Sequence, residues 1–365
     1  MHWARYDMPR LTPCPHGGPD PEELEALRLS PDDILDFSVN CNPFGPPPGI
    51  KAAAERASWE RLPEARATRL RQALAAVLGV RPANIVVGNG SVELIRFLAV
   101  ALFGPKDYVV IPSPTFGEYE ASVLIAGAAP LIFQLHENEG FRPDVEALAP
   151  FQNGRAKALF LCNPNNPTGV YLSREDVLGI VEAAPERLVV LDEAYLPFVD
   201  GAWDSLELLG HGNVVLLRSM TKDFALGGLR LGYAVGPEPL MESLSCVLPP
   251  WNVNAIAQEA GLLALEDPSY PARCLPAILE ARDYLIAELQ KCGLPTLPSR
   301  TNFFLVKVGD APTFRRALLR QGLLVRDCTS FGLPDYVRIA ALTLPECRLL
   351  IEAVGRVLCG RHVQA

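Results

Sequence analysis

The chain has 365 residues, 49% of them hydrophobic, with a mean hydropathy of +0.15 and a formal net charge of −9 at pH 7. That is enough to bury a large core in two structural domains, and too acidic for nucleic acid as a general partner. Nine cysteines lie far apart, without a Cys-x-x-Cys or a histidine cluster at metal spacing. No metal is therefore expected, and a reduced cytoplasm fits better than a disulfide framework. No apolar run approaches a membrane span.

The first residues, Met1 to Asp7, carry no apolar signal core. His16-Gly17-Gly18 comes next, followed by Asp36-Phe37-Ser38-Val39-Asn40-Cys41-Asn42-Pro43-Phe44-Gly45 and the stiffening Pro46-Pro47-Pro48. Leu70, Leu74, Val77 and Leu78 predict a helix over 69–78 that ends at Gly79. Ile85 to Ile95 reads as strand, glycine turn and helix start, and Gly90, Ser91 and Val92 there offer free N–H groups to an anion. Strands are predicted at 85–87, 108–111, 130–133, 158–161, 188–191 and 214–217, alternating with helical or turn segments. This rhythm predicts an α/β fold, a mostly parallel sheet with helices on both faces.

Several turns after these strands carry chemistry. Pro112 to Tyr119 holds Phe116, either a core residue or a ring-stacking one. Leu159–Cys162 runs into Asn163-Pro164-Asn165-Asn166-Pro167-Thr168-Gly169, a turn that fixes backbone and aims an amide. Leu188–Leu191 ends at Asp192-Glu193-Ala194-Tyr195; Asp192 could cap a helix or serve as the carboxylate partner of a protonated pyridine. Val214–Leu217 leads to Ser219-Met220-Thr221-Lys222, with Arg230 eight residues beyond the lysine. A lysine amine condenses with an aldehyde, and a hydroxyl and a guanidinium hold a phosphate. Pyridoxal phosphate offers both groups. Beyond Trp251 a long helical tract is expected over about 254–291, then Asn302–Val306, a helix near 312–321, and strands at 323–325 and 336–340. Arg326 and Arg338 stand on consecutive elements there and could bind two anions, though Arg326 could equally form a surface salt bridge.

These motifs, in this order, resemble the fold-type I pyridoxal-phosphate enzymes of the class I/II aminotransferase superfamily, roughly from His16 to Val357. The resemblance implies an N-terminal arm over 1–45 contributing to the active site and small domain, a large cofactor-binding domain over 46–250, a small C-terminal α/β domain over 251–365, and a homodimer. It implies that Lys222 takes the aldehyde, that Asp192 pairs with the pyridine nitrogen, and that Asn166 and Tyr195 meet the ring hydroxyl. Gly90, Ser91, Val92, Ser219 and Arg230 would hold the phosphate, with Phe116 stacked on the ring. Arg338 would bind the substrate carboxylate, helped by Arg326, His16, Asn40 and Asn166. One departure is Leu62-Pro63, where the superfamily usually has a tyrosine that reaches the neighbouring subunit's cofactor phosphate.

Within the superfamily, His16-Gly17-Gly18, the Asn40–Gly45 turn and Pro250-Trp251-Asn252-Val253-Asn254-Ala255 resemble the L-threonine-O-3-phosphate decarboxylases. The expected substrate is a small anionic phosphoamino acid. The expected reaction is its decarboxylation to (R)-1-aminopropan-2-ol O-2-phosphate for the cobalamin nucleotide loop. Amino transfer from histidinol phosphate to 2-oxoglutarate is the alternative, because both reactions use the same residues around the cofactor. Aminotransferase-like transcription regulators form a third class, disfavoured by the acidic composition and by the lack of room for a DNA-binding domain before His16.

Overall fold

The computed structural model describes residues 14–148, 154 and 156–362. The reading of Met1–Asp7, and the expected arm before Cys14, lie outside the described residues. The helices used below are α1 (Pro21–Leu27), α2 (Ala52–Arg56), α3 (Thr68–Leu78), α4 (Ser91–Leu102), α5 (Glu118–Ile125), α6 (Arg174–Ala183), α7 (Glu238–Val247), α8 (Ala255–Leu265), α9 (Tyr270–Lys291), α10 (Ala311–Leu319) and α11 (Leu344–His362). Helix α3 ends, as its spacing predicts, at Gly79, whose φ of +69° is open to glycine at little cost.

The main sheet has seven strands in the order β2-β8-β7-β6-β5-β3-β4. These are β2 (Ile85–Gly88), β3 (Tyr108–Ser113), β4 (Ala129–Gln134), β5 (Ala156–Cys162), β6 (Leu188–Asp192), β7 (Val214–Ser219) and β8 (Gly232–Val235). All run parallel except β8, which pairs antiparallel with both β2 and β7. Alternate residues explain why the strands read as unbroken apolar runs. Val189, Leu191, Leu216 and Leu159 face one core, packed by α3, α6 and α8. Val190, Val215, Leu217 and Phe160 face the other, packed by α4, α5 and α7. A sheet buried on both faces needs apolar residues at every position. β8 is not legible as a strand in the sequence, because it is short and opens on glycine.

A second core joins Phe37 from the N-terminal segment to α9, α10, α11, β9 (Phe303–Lys307) and β12 (Tyr336–Ala340). β1 (Leu35–Asp36) pairs parallel with β10 (Leu323–Leu324), which draws the N-terminal segment onto the small domain. The strand expected at 323–325 is β10, which pairs with β1; a second short strand, β11 (Arg326–Asp327), follows it in a different sheet, antiparallel to β12. Buried Val325 is the crossing point. The long tract expected over 254–291 is also broken, at Glu266–Ser269, where Pro268 cannot continue a helix. Its first half, α8, buries Ala257, Ala260 and Ala264 in the large-domain core, so by packing the small domain begins after Leu265 rather than at 251. Among the described residues no helix is long and apolar enough to cross a membrane.

Gly232 sits where β8 meets Gly88 of β2 and Ser219 of β7. A Cβ there would lie 2.7 Å from the Ser91 nitrogen, 3.0 Å from the Gly90 carbonyl carbon and 3.1 Å from the Arg218 oxygen, all backbone atoms. Gly232→Ala should therefore cost about 1–3 kcal/mol, read from urea unfolding. A variant as stable as the parent would show that the β2–α4 turn can yield.

Candidate active site

Five of the parallel strands, β2, β3, β5, β6 and β7, deliver their chemistry at or just after their carboxyl ends, where an open α/β sheet leaves a crevice. These ends open on a cavity of 860 Å³. The turn after β2 supplies an anion cradle. Gly90 caps α4 with φ +81° and has no side chain to satisfy the helix, so the first N–H groups, from Ser91 onward, are left for a ligand. A Cβ on Gly90 would come within 2.8 Å of the Arg230 guanidinium, so only glycine leaves that space open. The Ser219 and Thr221 hydroxyls, 2.7 Å apart, complete the cradle. Arg230 is itself held in the left-handed region, at φ +59°, and donates to the Gly227 carbonyl at 3.1 Å.

Asp192 ends β6 beneath this cradle, 3% exposed. Its Oδ2 accepts from the Tyr119 hydroxyl at 2.8 Å and its Oδ1 from the Ala194 N–H at 3.0 Å. Desolvation lifts its carboxyl from 3.8 to about 6, against the opposing pull of the Tyr119 hydrogen bond. Lys222 follows β7 on a loop braced by Asn42, whose N–H donates to the Lys222 carbonyl at 2.8 Å and whose side-chain amide donates to the Asp223 carbonyl at 3.0 Å. The Lys222 amine lines the cavity with no ion-pair partner among the described residues.

On the small-domain side, Arg326 and Arg338 stand directly opposite one another across β11 and β12. Arg338 is 5% exposed, donates to Asn166 Oδ1 and to the Ser38 carbonyl (2.6 Å), and lies 5.4 Å from the Phe303 ring. Arg326 donates to the Pro15 carbonyl at 2.7 Å and to Ser330 Oγ at 2.8 Å. Burial lowers both guanidiniums from their ordinary values, and the Arg338 charge lowers Arg326 further. Neither has a carboxylate ion-pair partner among the described residues. Two like charges set opposite on a sheet cost stability, and an anionic ligand between them would offset that cost.

All the residues expected at the site border this cavity except Gly90, which sits behind Ser91 in the cradle turn. Asn166 rather than Asn165 faces it; Asn165 is taken up by Thr115, Thr168 and the Pro114 carbonyl. Asn40 is 1% exposed and neither atom of its amide has a hydrogen-bond partner among the described residues, as expected of a group that meets a ligand. Sequence reasoning missed Tyr119, Thr221, Glu118 and Arg96. Thr221 stands two residues from Ser219 and could have been found; Tyr119 and Arg96 depend on how α4 and α5 pack.

The donor set fits pyridoxal phosphate: an anion cradle, a buried carboxylate that needs a cation, and an amine free to take an aldehyde. Without that cation, ionised Asp192 carries a penalty on the order of 3 kcal/mol. The proton is held more tightly in the folded chain, so the penalty is absent below about pH 4, grows with rising pH and is complete above about pH 6. Freed of cofactor, Asp192→Asn should lose less melting temperature than the parent between about pH 5 and about pH 8. Equal losses would show that Asp192 ionises there at no cost.

The family profile "Aminotransferase class I and II" matches residues 32–354. The histidinol-phosphate aminotransferase of Symbiobacterium thermophilum is 37% identical over 98% of this chain and 99% of its own. Among solved structures, the histidinol-phosphate aminotransferase of Sinorhizobium meliloti in complex with pyridoxal-5'-phosphate aligns with a TM-score of 0.87 and 25% identity, over 99% of this chain and 98% of that one. The L-threonine-O-3-phosphate decarboxylase of Porphyromonas gingivalis aligns with a TM-score of 0.79 and 28% identity, over 89% of this chain and 99% of that one. These relatives correct the expected decarboxylation and its place in cobalamin synthesis: further curated relatives 34–36% identical are also histidinol-phosphate aminotransferases. The structure gives the physical reason for the error. The segments that pointed to a decarboxylase brace the scaffold. Asn252 ties its segment to Glu93 of α4 at 2.6 Å, Asn254 caps α8, and Asn42 holds the Lys222 loop. Gly17 is needed because a Cβ there would lie 2.5 Å from the Ser38 oxygen. Such contacts serve either reaction. With its fold, its cofactor pocket and its relatives in agreement, the chain belongs to the class I and II aminotransferases, which work with pyridoxal 5'-phosphate.

Proposed function

We propose that the chain is a histidinol-phosphate aminotransferase. It moves the amino group of L-histidinol phosphate to 2-oxoglutarate, giving the matching imidazolyl oxopropyl phosphate and L-glutamate. The observation that carries this reading is the opposed pair Arg326 and Arg338, two guanidiniums without a carboxylate, on the wall of an aminotransferase cofactor pocket. Both substrates bring an anion to that pair, a phosphate in one case and a carboxylate in the other. The names of the most similar curated relatives support the same choice.

Bound pyridoxal phosphate supplies an aldehyde for amines and a protonated ring that accepts electrons from Cα. In this reading, Lys222 Nζ would hold the cofactor's aldehyde and, once the substrate amine has displaced it, would move the proton at the substrate Cα. Asp192 would keep the ring nitrogen protonated, and Asn166 and Tyr195 would meet the ring hydroxyl. Ser91, Val92, Ser219 and Arg230 would hold the cofactor phosphate, beside Gly90, with Phe116 against the ring. Arg338 and Arg326, with Asn40, Asn166 and His16, hold the substrate's anionic end. The arginine pair and the packed wall fix how the substrate lies, and so which bond at Cα is exposed to Lys222.

Holoenzyme supplied with histidinol phosphate and 2-oxoglutarate should form glutamate. Lys222→Ala should bind the cofactor yet lose about 10³-fold or more in turnover, and Arg338→Ala should lose about 10-fold or more in kcat/KM. No glutamate from the wild-type protein would sink the reading.

We also propose a homodimer, since a two-fold interface is the commonest assembly. Trp59 (77% exposed) and Leu62 (70%) stand out from a segment that packs on α8. A partner copy would cover them. Sedimentation should give a dimer that Leu62→Glu weakens; an active wild-type monomer would refute it.

A further inference from the structure

A buried carboxylate is out of place on the wall of a pocket built for anions. Glu118, the first residue of α5, is such a group: it is 3% exposed and borders the cavity beside Phe116. Its Oε2 is taken by Arg96, which donates from Nε at 3.0 Å and from Nη2 at 2.8 Å. Its Oε1 faces His16 Nε2 at 3.3 Å. The His16 and Arg96 contacts hold the Glu118 carboxyl below its usual range despite burial, so it is ionised.

His16 is otherwise poorly anchored. Its side chain is 53% exposed, and its ring lies 5.9 Å from that of Phe116, tilted by 50°. The arm around it is tied to the other side of the pocket, with the Pro15 carbonyl accepting from Arg326 and the Gly18 N–H donating to Ser38 Oγ at 2.8 Å. Glu118 is thus the one side chain among the described residues that fixes the imidazole, and it leaves Nδ1 unengaged. With Nε2 held by the carboxylate, Nδ1 is the imidazole nitrogen left to meet a phosphate oxygen. A carboxylate substrate has two oxygens for the arginines; a phosphate monoester has a third.

We propose that Glu118, fixed by Arg96, is a positioning residue that holds His16 as the third donor of a phosphate-monoester subsite beside Arg326 and Arg338, and thereby favours the phosphorylated substrate over glutamate. This rests on the reading that His16 and the two arginines hold the substrate's anionic end. The same carboxylate neutralises Arg96 and keeps that cation from competing for the phosphate. Arg96 acts on the substrate only through this chain of contacts.

The test uses holoenzyme with Glu118→Ala, Glu118→Gln, His16→Gln and the double variant Glu118→Ala/His16→Gln. For Glu118→Ala, KM for histidinol phosphate should rise about tenfold, more than kcat falls, and the kcat/KM ratio of histidinol phosphate to glutamate should fall by a similar factor. Calorimetry with inorganic phosphate should show the same weakening. Glu118→Gln keeps an acceptor oxygen without the charge and should lie between parent and Glu118→Ala; it carries the test if Glu118→Ala does not fold. In the His16→Gln background, removing Glu118 should add less than about twofold. Unchanged phosphate affinity in both Glu118 variants overturns the proposal, as does an equal loss with and without His16. A wild-type protein that binds phosphate through this pair, yet makes no glutamate from histidinol phosphate, refutes the function proposed above and leaves the subsite standing.

Discussion

The site is organised around a carboxylate driven into an apolar sheet. Asp192 ends a strand whose neighbours on either face are core residues, so its charge is far from water. A lone buried charge is expensive, and the chain meets only part of that expense: Tyr119 and the Ala194 N–H satisfy its oxygens without supplying a cation. In the proposed reading, the protonated ring of pyridoxal phosphate would be the missing counter-charge. Cofactor binding and the electrostatics of β6 would then be one problem, and the cradle at the start of α4 would meet its other half by taking the phosphate at a helix N-terminus.

The small domain repeats this logic with the sign reversed. Crossing from β10 to β11 at Val325 brings Arg326 opposite Arg338, and their mutual repulsion is left unrelieved by any carboxylate ion pair among the described residues. Preorganised like charges are a poor way to stabilise a sheet and a good way to bind an anion. Helix α9, packed against α11 in the small-domain core, gives these strands a rigid base. The arm at Pro15–Gly18 then links the two halves, contacting Glu118 of the large domain and Ser38 and Arg326 of the small-domain side.

The choice between two reactions on one scaffold shows what short motifs carry. Asn42, Asn252 and Asn254 are placed to hold backbone, and their contacts end at the lysine loop, the cradle and a helix cap. Residues in such roles track the architecture of the pocket rather than the bond that breaks in it. What discriminates substrates is the disposition of cations and acceptors around the anionic end, and that disposition is set by side chains from both domains and the arm.

The sequence by itself determined the parallel sheet, because strands buried on both faces must be apolar throughout and alternate with helices. It also marked Lys222, Asp192, Ser219 and the Gly90–Val92 turn as candidates for a cofactor pocket, since all follow recognisable strands at their carboxyl ends, while Tyr119 and Thr221 were missed. Its local signals gave out where pairing is non-local: β8 is too short and glycine-led to read, and β11 joins a different sheet from β10 only because it pairs with β12 while β10 pairs with β1. Tyr119 under Asp192, Glu118 against His16 and the facing arginines are contacts between residues 73, 102 and 12 positions apart in the chain. Helix packing and strand register bring them together, and neither is written in the spacing of any one stretch of chain.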